Sequence, residues 1–439
     1  MSLQDIYKKA GVVMKPAAMK DGKLYSQQPH SGAGDFNFSR ADGVQTRINK
    51  HGLIETVANN EPRLSYDLVD GKVSDCPHLL LEPQRGNFGL YSEQLSNWLK
   101  SRATSADNQT ISPDGSQTAG EAIVTTAFGS HATYVNQFSS VTSGADYVVS
   151  LFVKKSTTKH VRLEDGYSNY GVIFNFDTEE ITTKGNASFS DIGVEKYPNG
   201  WYRLSVHFLG SSANHSQPAL YILRDSDAAS SYTGTDEAVF LWGLQVEAGT
   251  YHTSYIKNAS TGTTTRSADV CNGSGNSETF NDSEGVLFAE IAALADDLTF
   301  RSISISNGTT SNRISLSYIT TSNIASAYVN TTSGEGFSSS ITINNITENN
   351  KFAVKYKSGD YSFWINGFET SSGSSSNIFA NGTLNTLTFD KGNGGDDMYS
   401  NTKQVMTFKK ALTDAELEKL TSWESFFDMA KGQQYNVKL

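Results

Sequence analysis

From Tyr202 to Phe208 apolar and polar residues alternate without a slip: Tyr202, Leu204, Val206 and Phe208 against Arg203, Ser205 and His207. Successive side chains of an extended chain point to opposite faces, so a period of two describes a strand with one face in a core. The turn Pro198-Asn199-Gly200 stands just before it. Residues 146–153 (Asp-Tyr-Val-Val-Ser-Leu-Phe-Val) form a near-continuous apolar run of strand length, suited to burial on both faces. Residues 172–176 and 238–247 supply further strands, the second a central one. Beyond residue 285 the pattern recurs in 286–291, in the pairs Ile303/Ile305, Ile314/Leu316 and Ile341/Ile343, and in 351–356 and 361–369. Asn366-Gly367 in the last run tolerates positive φ at both positions and predicts a type I′ hairpin. The composition agrees, with 37 Gly and only 18% charged residues, while 20 Tyr, 23 Phe and 5 Trp supply cores. A chain of 439 residues exceeds one core. The expectation is an all-β protein with two antiparallel β-sandwiches, at 88–258 and 285–439. Residues 259–284, rich in Asn, Ser, Thr and Gly, have the composition of a linker.

The stretch Leu79-Leu80-Leu81-Glu82-Pro83 marks where this body begins. Pro83 lacks an N–H and holds Glu82 extended, so no helix runs through it. Residues 1–87 before the body offer a short helix near 3–10 and isolated strands at 36–40 and 53–57. Such a segment cannot close its own core and is expected to pack on a neighbouring copy or a larger assembly. Near the other end Thr413 and Glu416 form a capping box, with Leu412 and Leu417 at staple positions. Leu417, Leu420, Trp423 or Glu424, and Phe427 complete the apolar stripe of one short helix that closes the chain structurally.

The formal net charge of −11 and the lack of any basic cluster beyond Lys-Lys pairs argue against a nucleic-acid partner. No run of 18 apolar residues exists, so membrane insertion is not expected, and the first ten residues lack a signal-peptide core. Cys76 and Cys271 have no zinc-ligand spacing, and free thiols suit assembly in a reducing cytoplasm.

Catalytic constellations are lacking in the sequence. A glycan hydrolase needs two carboxylates facing one another across a sugar; Glu290 stands alone, and adjacent Glu179-Glu180 point to opposite faces. The eight histidines form no metal-binding helical motif, and no nucleophile elbow or phosphate loop stands out. Asp396 with Asp397, and Asp225 with Asp227, sit in Gly/Asn- or Ser/Ala-rich loops that would suit Ca²⁺, although acidic turns without metal are commoner. For sugars the instrument is an aromatic platform. Trp364 is the first candidate, and Tyr167 and Tyr170 are the second. The competing assignment for Trp364 is burial, and Trp201 and Trp242 read as packing residues.

Several phrases resemble a family of bacteriophage structural proteins. They include Gly34-Asp35-Phe36-Asn37-Phe38-Ser39-Arg40-Ala41, Thr46-Arg47-Ile48-Asn49, Pro62-Arg63-Leu64-Ser65-Tyr66 and the run from Cys76 to Arg85. Asn199-Gly200-Trp201-Tyr202-Arg203 and residues 241–247 resemble a carbohydrate-binding-module-like jelly roll. Residues 285–439 resemble the laminin-G/concanavalin-A-like jelly roll, down to the 411–417 pattern. The resemblance implies a non-enzymatic tail or head fibre, or a capsid decoration protein, carried on the virion. It would dock on other virion proteins through residues 1–90, assemble as a homotrimer and bind host surface polysaccharide with lectin-like domains. Two rival readings stay open: a polysaccharide depolymerase or lyase, and a decoration protein that binds no glycan.

Overall fold

The computed structural model describes residues 2–41, 45–134, 142–165, 171–184, 192–210, 218–224, 231–423, 425 and 429. The chain is all-β, with a five-residue helix Leu3–Tyr7 capped by Ser2 and a C-terminal helix Asp414–Thr421. The Thr413–Glu416 capping box is formed, and Leu417 and Leu420 are buried; Glu424 and Phe427 lie outside the described residues.

One sandwich is built wholly from residues 99–248. One of its sheets runs Leu99–Ser101, Ala132–Tyr134, Ala219–Leu223, His160–Glu164, Gly171–Asn175, Glu180–Lys184. The facing sheet runs Ala103–Thr110, Ala119–Val124, Ala238–Ala248, Asp146–Lys155, Trp201–Leu209, Ile192–Lys196. The alternating strand behaves as its pattern demands: Tyr202, Leu204, Val206 and Phe208 enter the core between the sheets. Arg203 and His207, on the other face, are held by Ser150 and Asp146.

The second sandwich is discontinuous. Its five-stranded sheet runs Gly334–Thr342, Ile324–Thr331, Arg313–Tyr318, Arg301–Ser306, Thr386–Thr388. In the opposing eight-stranded sheet, Phe368–Gly373, Tyr361–Ile365, Asn350–Lys357, Glu284–Ala293 and Ser400–Phe408 are continued by Lys72–Leu81 and Arg63–Val69. Ala10–Met14 also pairs with Ser400–Phe408. Val12, Met14, Leu24, Phe36, Leu79 and Leu81 are buried in the same core as Ile303, Leu316, Phe352 and Phe363. Residues 1–87 therefore bury their apolar side chains on their own chain, where the sequence had suggested a neighbouring copy. The three leucines are the end of a strand, since Leu79–Leu81 pairs with Ser400–Thr402.

Residues 259–284 also differ from the linker expectation. They contain strands Thr264–Arg266, paired with Arg85–Asn87, and Val270–Asn272, paired with Phe36–Ser39. Backbone hydrogen bonding does not need large side chains, so a composition poor in them hid two strands. The chain thus enters and leaves the first sandwich through one antiparallel pair, and that sandwich is an insertion in the second. The Asn366-Gly367 turn has φ of 49° and 92°, as the hairpin signal demands.

A candidate binding cleft at the three-way junction

Where the inserted sandwich, the N-terminal strands and the C-terminal sandwich meet, they enclose a cleft of about 800 Å³. At Glu82 it meets a buried ionic network. Asp269 accepts from Arg40 at 2.6 Å and from Arg63, and Glu82 accepts from Arg63 and forms an ion pair with Arg266 at 2.9 Å. All five side chains are almost wholly buried. Ser254, in the segment that leaves the inserted sandwich, donates its N–H to Glu82 at 2.7 Å and its hydroxyl at 2.6 Å. Burial pushes the Glu82 carboxyl up, but Arg266, Arg63 and Ser254 outweigh it and hold the group well below the usual carboxylate range. The five charges come from four stretches of chain, at residues 40, 63, 82 and 266–269, and the network ties these together in a low-dielectric interior.

Asn87 ties the same joint without charge. Its amide donates to the Leu244 and Ile256 carbonyls at 3.1 and 2.7 Å. Its oxygen accepts from Gly89 and Val246 at 2.8 and 3.0 Å.

The walls are polar with aromatic insets. Tyr66, on Arg63–Val69, is half-buried and lines the cleft. The hairpin of Gln45–Ile48 and Ile54–Val57 contributes Thr46, Arg47, Ile48 and Ile54. Thr46 donates to the Tyr255 carbonyl at 2.7 Å, and Gly52 (φ 76°) lies so close to Pro198 that a Cβ would stand 2.6 Å from its Cγ. On the inserted sandwich, Glu195 meets His252 at 3.1 Å and the Tyr197 hydroxyl at 3.4 Å. Lys196 reaches across to Asp70 at 3.1 Å and back to Glu179 at 2.7 Å. Desolvation acts to raise the Glu195 carboxyl, yet the facing His252 and Arg203 hold it below its ordinary value.

This arrangement suits hydrogen bonding to a polyol, with the Tyr66 ring as a stacking surface. General-acid cleavage of a glycoside uses a carboxyl with a raised pKa; Glu82 and Glu195 are shifted the other way.

The residues singled out from the sequence lie elsewhere. Trp364 is only 6% exposed. It packs under Leu417 and Leu420 of the C-terminal helix, against Phe288 and Met406, and donates Nε1–H to the Ser362 hydroxyl at 3.0 Å. It is a core residue and not an open platform, because the helix covers the face of Tyr361–Ile365 that its own alternation left outside the sandwich. Tyr167, Tyr170, Asp225 and Asp227 lie outside the described residues. Asp396 pairs with Lys391. Asp397 accepts from the Tyr399 hydroxyl at 3.0 Å, and burial pushes its carboxyl up. Among the described residues no group of three or more His, Cys, Asp or Glu gathers as a metal site. Both cysteines are free, Cys76 exposed and Cys271 buried.

Sequence reasoning missed the cleft because its walls come from separate segments, at residues 46–82, 194–203, 251–255, 293–294, 347 and 401. The signal that could have found it was the set of family-like phrases: 34–41, 46–49, 62–66, 76–85 and 199–203 all contribute to the network or the cleft.

No protein-family model matches the chain, and no curated protein does. Among solved structures, the carbohydrate-binding module CBM40 of a Ruminococcus gnavus IT-sialidase, bound to α2,3-sialyllactose, is 14% identical with a TM-score of 0.28, covering 32% of this chain and 84% of that one. Domains LG4-5 of the mouse laminin α1 chain are 10% identical with a TM-score of 0.23, covering 66% and 92%. A Trypanosoma rangeli sialidase with the inhibitor DANA is 10% identical with a TM-score of 0.28, covering 93% and 83%.

Proposed function

We propose that this chain is a non-catalytic bacteriophage virion protein, a fibre or decoration protein, that holds host surface glycan in the three-way cleft. The glycan reading rests on one observation: a half-buried tyrosine ring, Tyr66, lining an 800 Å³ polar cleft between two sandwiches. The virion reading rests on the likeness of residues 22–93 to phage structural proteins, and with it come assembly in the host cytoplasm, docking through the outward side of residues 1–90 and a homotrimer. The depressed carboxyls of Glu82 and Glu195 favour binding over hydrolysis.

A glycan array with the full chain and Tyr66→Ala tests it. The expected result is binding that falls at least tenfold in the variant while circular dichroism is unchanged. No signal from either protein overturns glycan binding, and shortened chains after incubation with host polysaccharide overturn the non-catalytic reading. A monomeric mass by light scattering overturns the trimer.

A further inference from the structure

We infer that the ligand is an extended glycan of neutral or amino-sugar units, not a polyanion, and that it lies along the 45–57 hairpin beyond the cleft. This deepens the glycan-binding reading and rests on it. A second depression of about 330 Å³ adjoins the cleft: Thr46, Ile54 and Tyr255 line both. A ligand filling the two together is a chain of sugars, since one ring cannot reach across the shared residues.

The depression has a different charge from the cleft. Its lining carries Glu55, Glu93 and Asp114 against Lys257. Glu93 is engaged on both oxygens, by the Tyr255 hydroxyl at 3.0 Å and by Lys257 at 2.7 Å. Glu55 gives one oxygen to Arg47 at 3.1 Å. Asp114 uses only Oδ1, for the Ser116 N–H at 2.9 Å, the Ser116 hydroxyl at 2.7 Å and the Ser112 hydroxyl at 2.5 Å. Among the described residues, Oε1 of Glu55 and Oδ2 of Asp114 have no hydrogen-bond partner.

Ionised carboxylates only accept, so these two oxygens match hydroxyl, amide N–H or ammonium groups of a ligand. They repel a sugar carboxylate or sulfate, and the chain's net charge of −11 acts in the same direction.

The test is a binding panel on the full chain, with EDTA present to remove metal ions. It compares neutral, N-acetylated, de-N-acetylated and uronic or sulfated oligosaccharides with their monosaccharides. The free-amine oligosaccharide should bind on the order of threefold tighter than its N-acetylated form, as an exposed charge pair allows. The double variant Glu55→Gln, Asp114→Asn keeps the Oδ1 acceptor and should abolish that preference while neutral oligosaccharide still binds. A preference for acidic sugars, an amine preference unmoved in the double variant, or monosaccharides binding as tightly as oligosaccharides overturns the inference alone. Silence across the whole panel instead overturns the glycan-binding reading beneath it.

Discussion

In the sandwich of residues 99–248 every strand of both sheets comes from one stretch of chain. In the other, Ala10–Met14 and Lys72–Leu81 pair with Ser400–Phe408, more than 300 residues further on, and Arg63–Val69 extends the sheet through Lys72–Leu81. The inserted sandwich closes its core locally. Its host closes only after the insertion has been spanned, and the buried network of Arg40, Arg63, Glu82, Arg266 and Asp269 sits where the two meet. A segment with no core of its own is thus structurally indispensable to the part of the protein furthest from it in sequence.

The strongest way to break this comparison is to remove residues 1–81. The host then loses Val12, Met14, Leu79 and Leu81 from its core and should give no cooperative transition by calorimetry, while the inserted sandwich keeps its own. Two intact transitions would refute the asymmetry. A smaller cut is Asp269→Ala, which leaves Arg40 buried without a carboxylate and Arg63 with Glu82 alone; about 3–5 kcal/mol should be lost in denaturant unfolding. Trp364→Ala opens a cavity beneath the C-terminal helix and should cost about 3–4 kcal/mol. That loss should fall on the host transition, with glycan affinity of the folded protein unchanged, because Trp364 does not line the cleft. Gly52→Ala places a Cβ against Pro198 at positive φ and should cost about 1–3 kcal/mol, read as earlier proteolysis at the junction.

The smallest effect is acid sensitivity. The Glu82 carboxyl is lower in the folded chain than in the unfolded one, where it titrates near about 4.3. Its stabilising contribution is therefore complete above that pH and is lost as the pH falls below it toward the folded value. Urea midpoints measured between pH 6 and pH 2 should decline on the acid side, and Glu82→Gln should flatten that decline.

Period-two alternation in 202–208, the double-sided run at 146–153, the Asn366-Gly367 turn and the Thr413 cap are local signals. They are set by backbone geometry and side-chain direction within a few residues, and each appears in the structure as its pattern demands. Those signals determined the all-β class, the strand positions and the closing helix. Which strands became neighbours was a different matter. Pro83 marked a boundary, but nothing within ten residues of it could tell that Glu82 would face Arg266, or that Tyr66, Glu195 and His252 would share a cleft. Alternation likewise told which face of Tyr361–Ile365 left the sandwich, while only packing decided that a helix would cover it and bury Trp364. Long-range burial and charge pairing are decided by what else the fold brings within a few ångströms, so the site belongs to the tertiary structure.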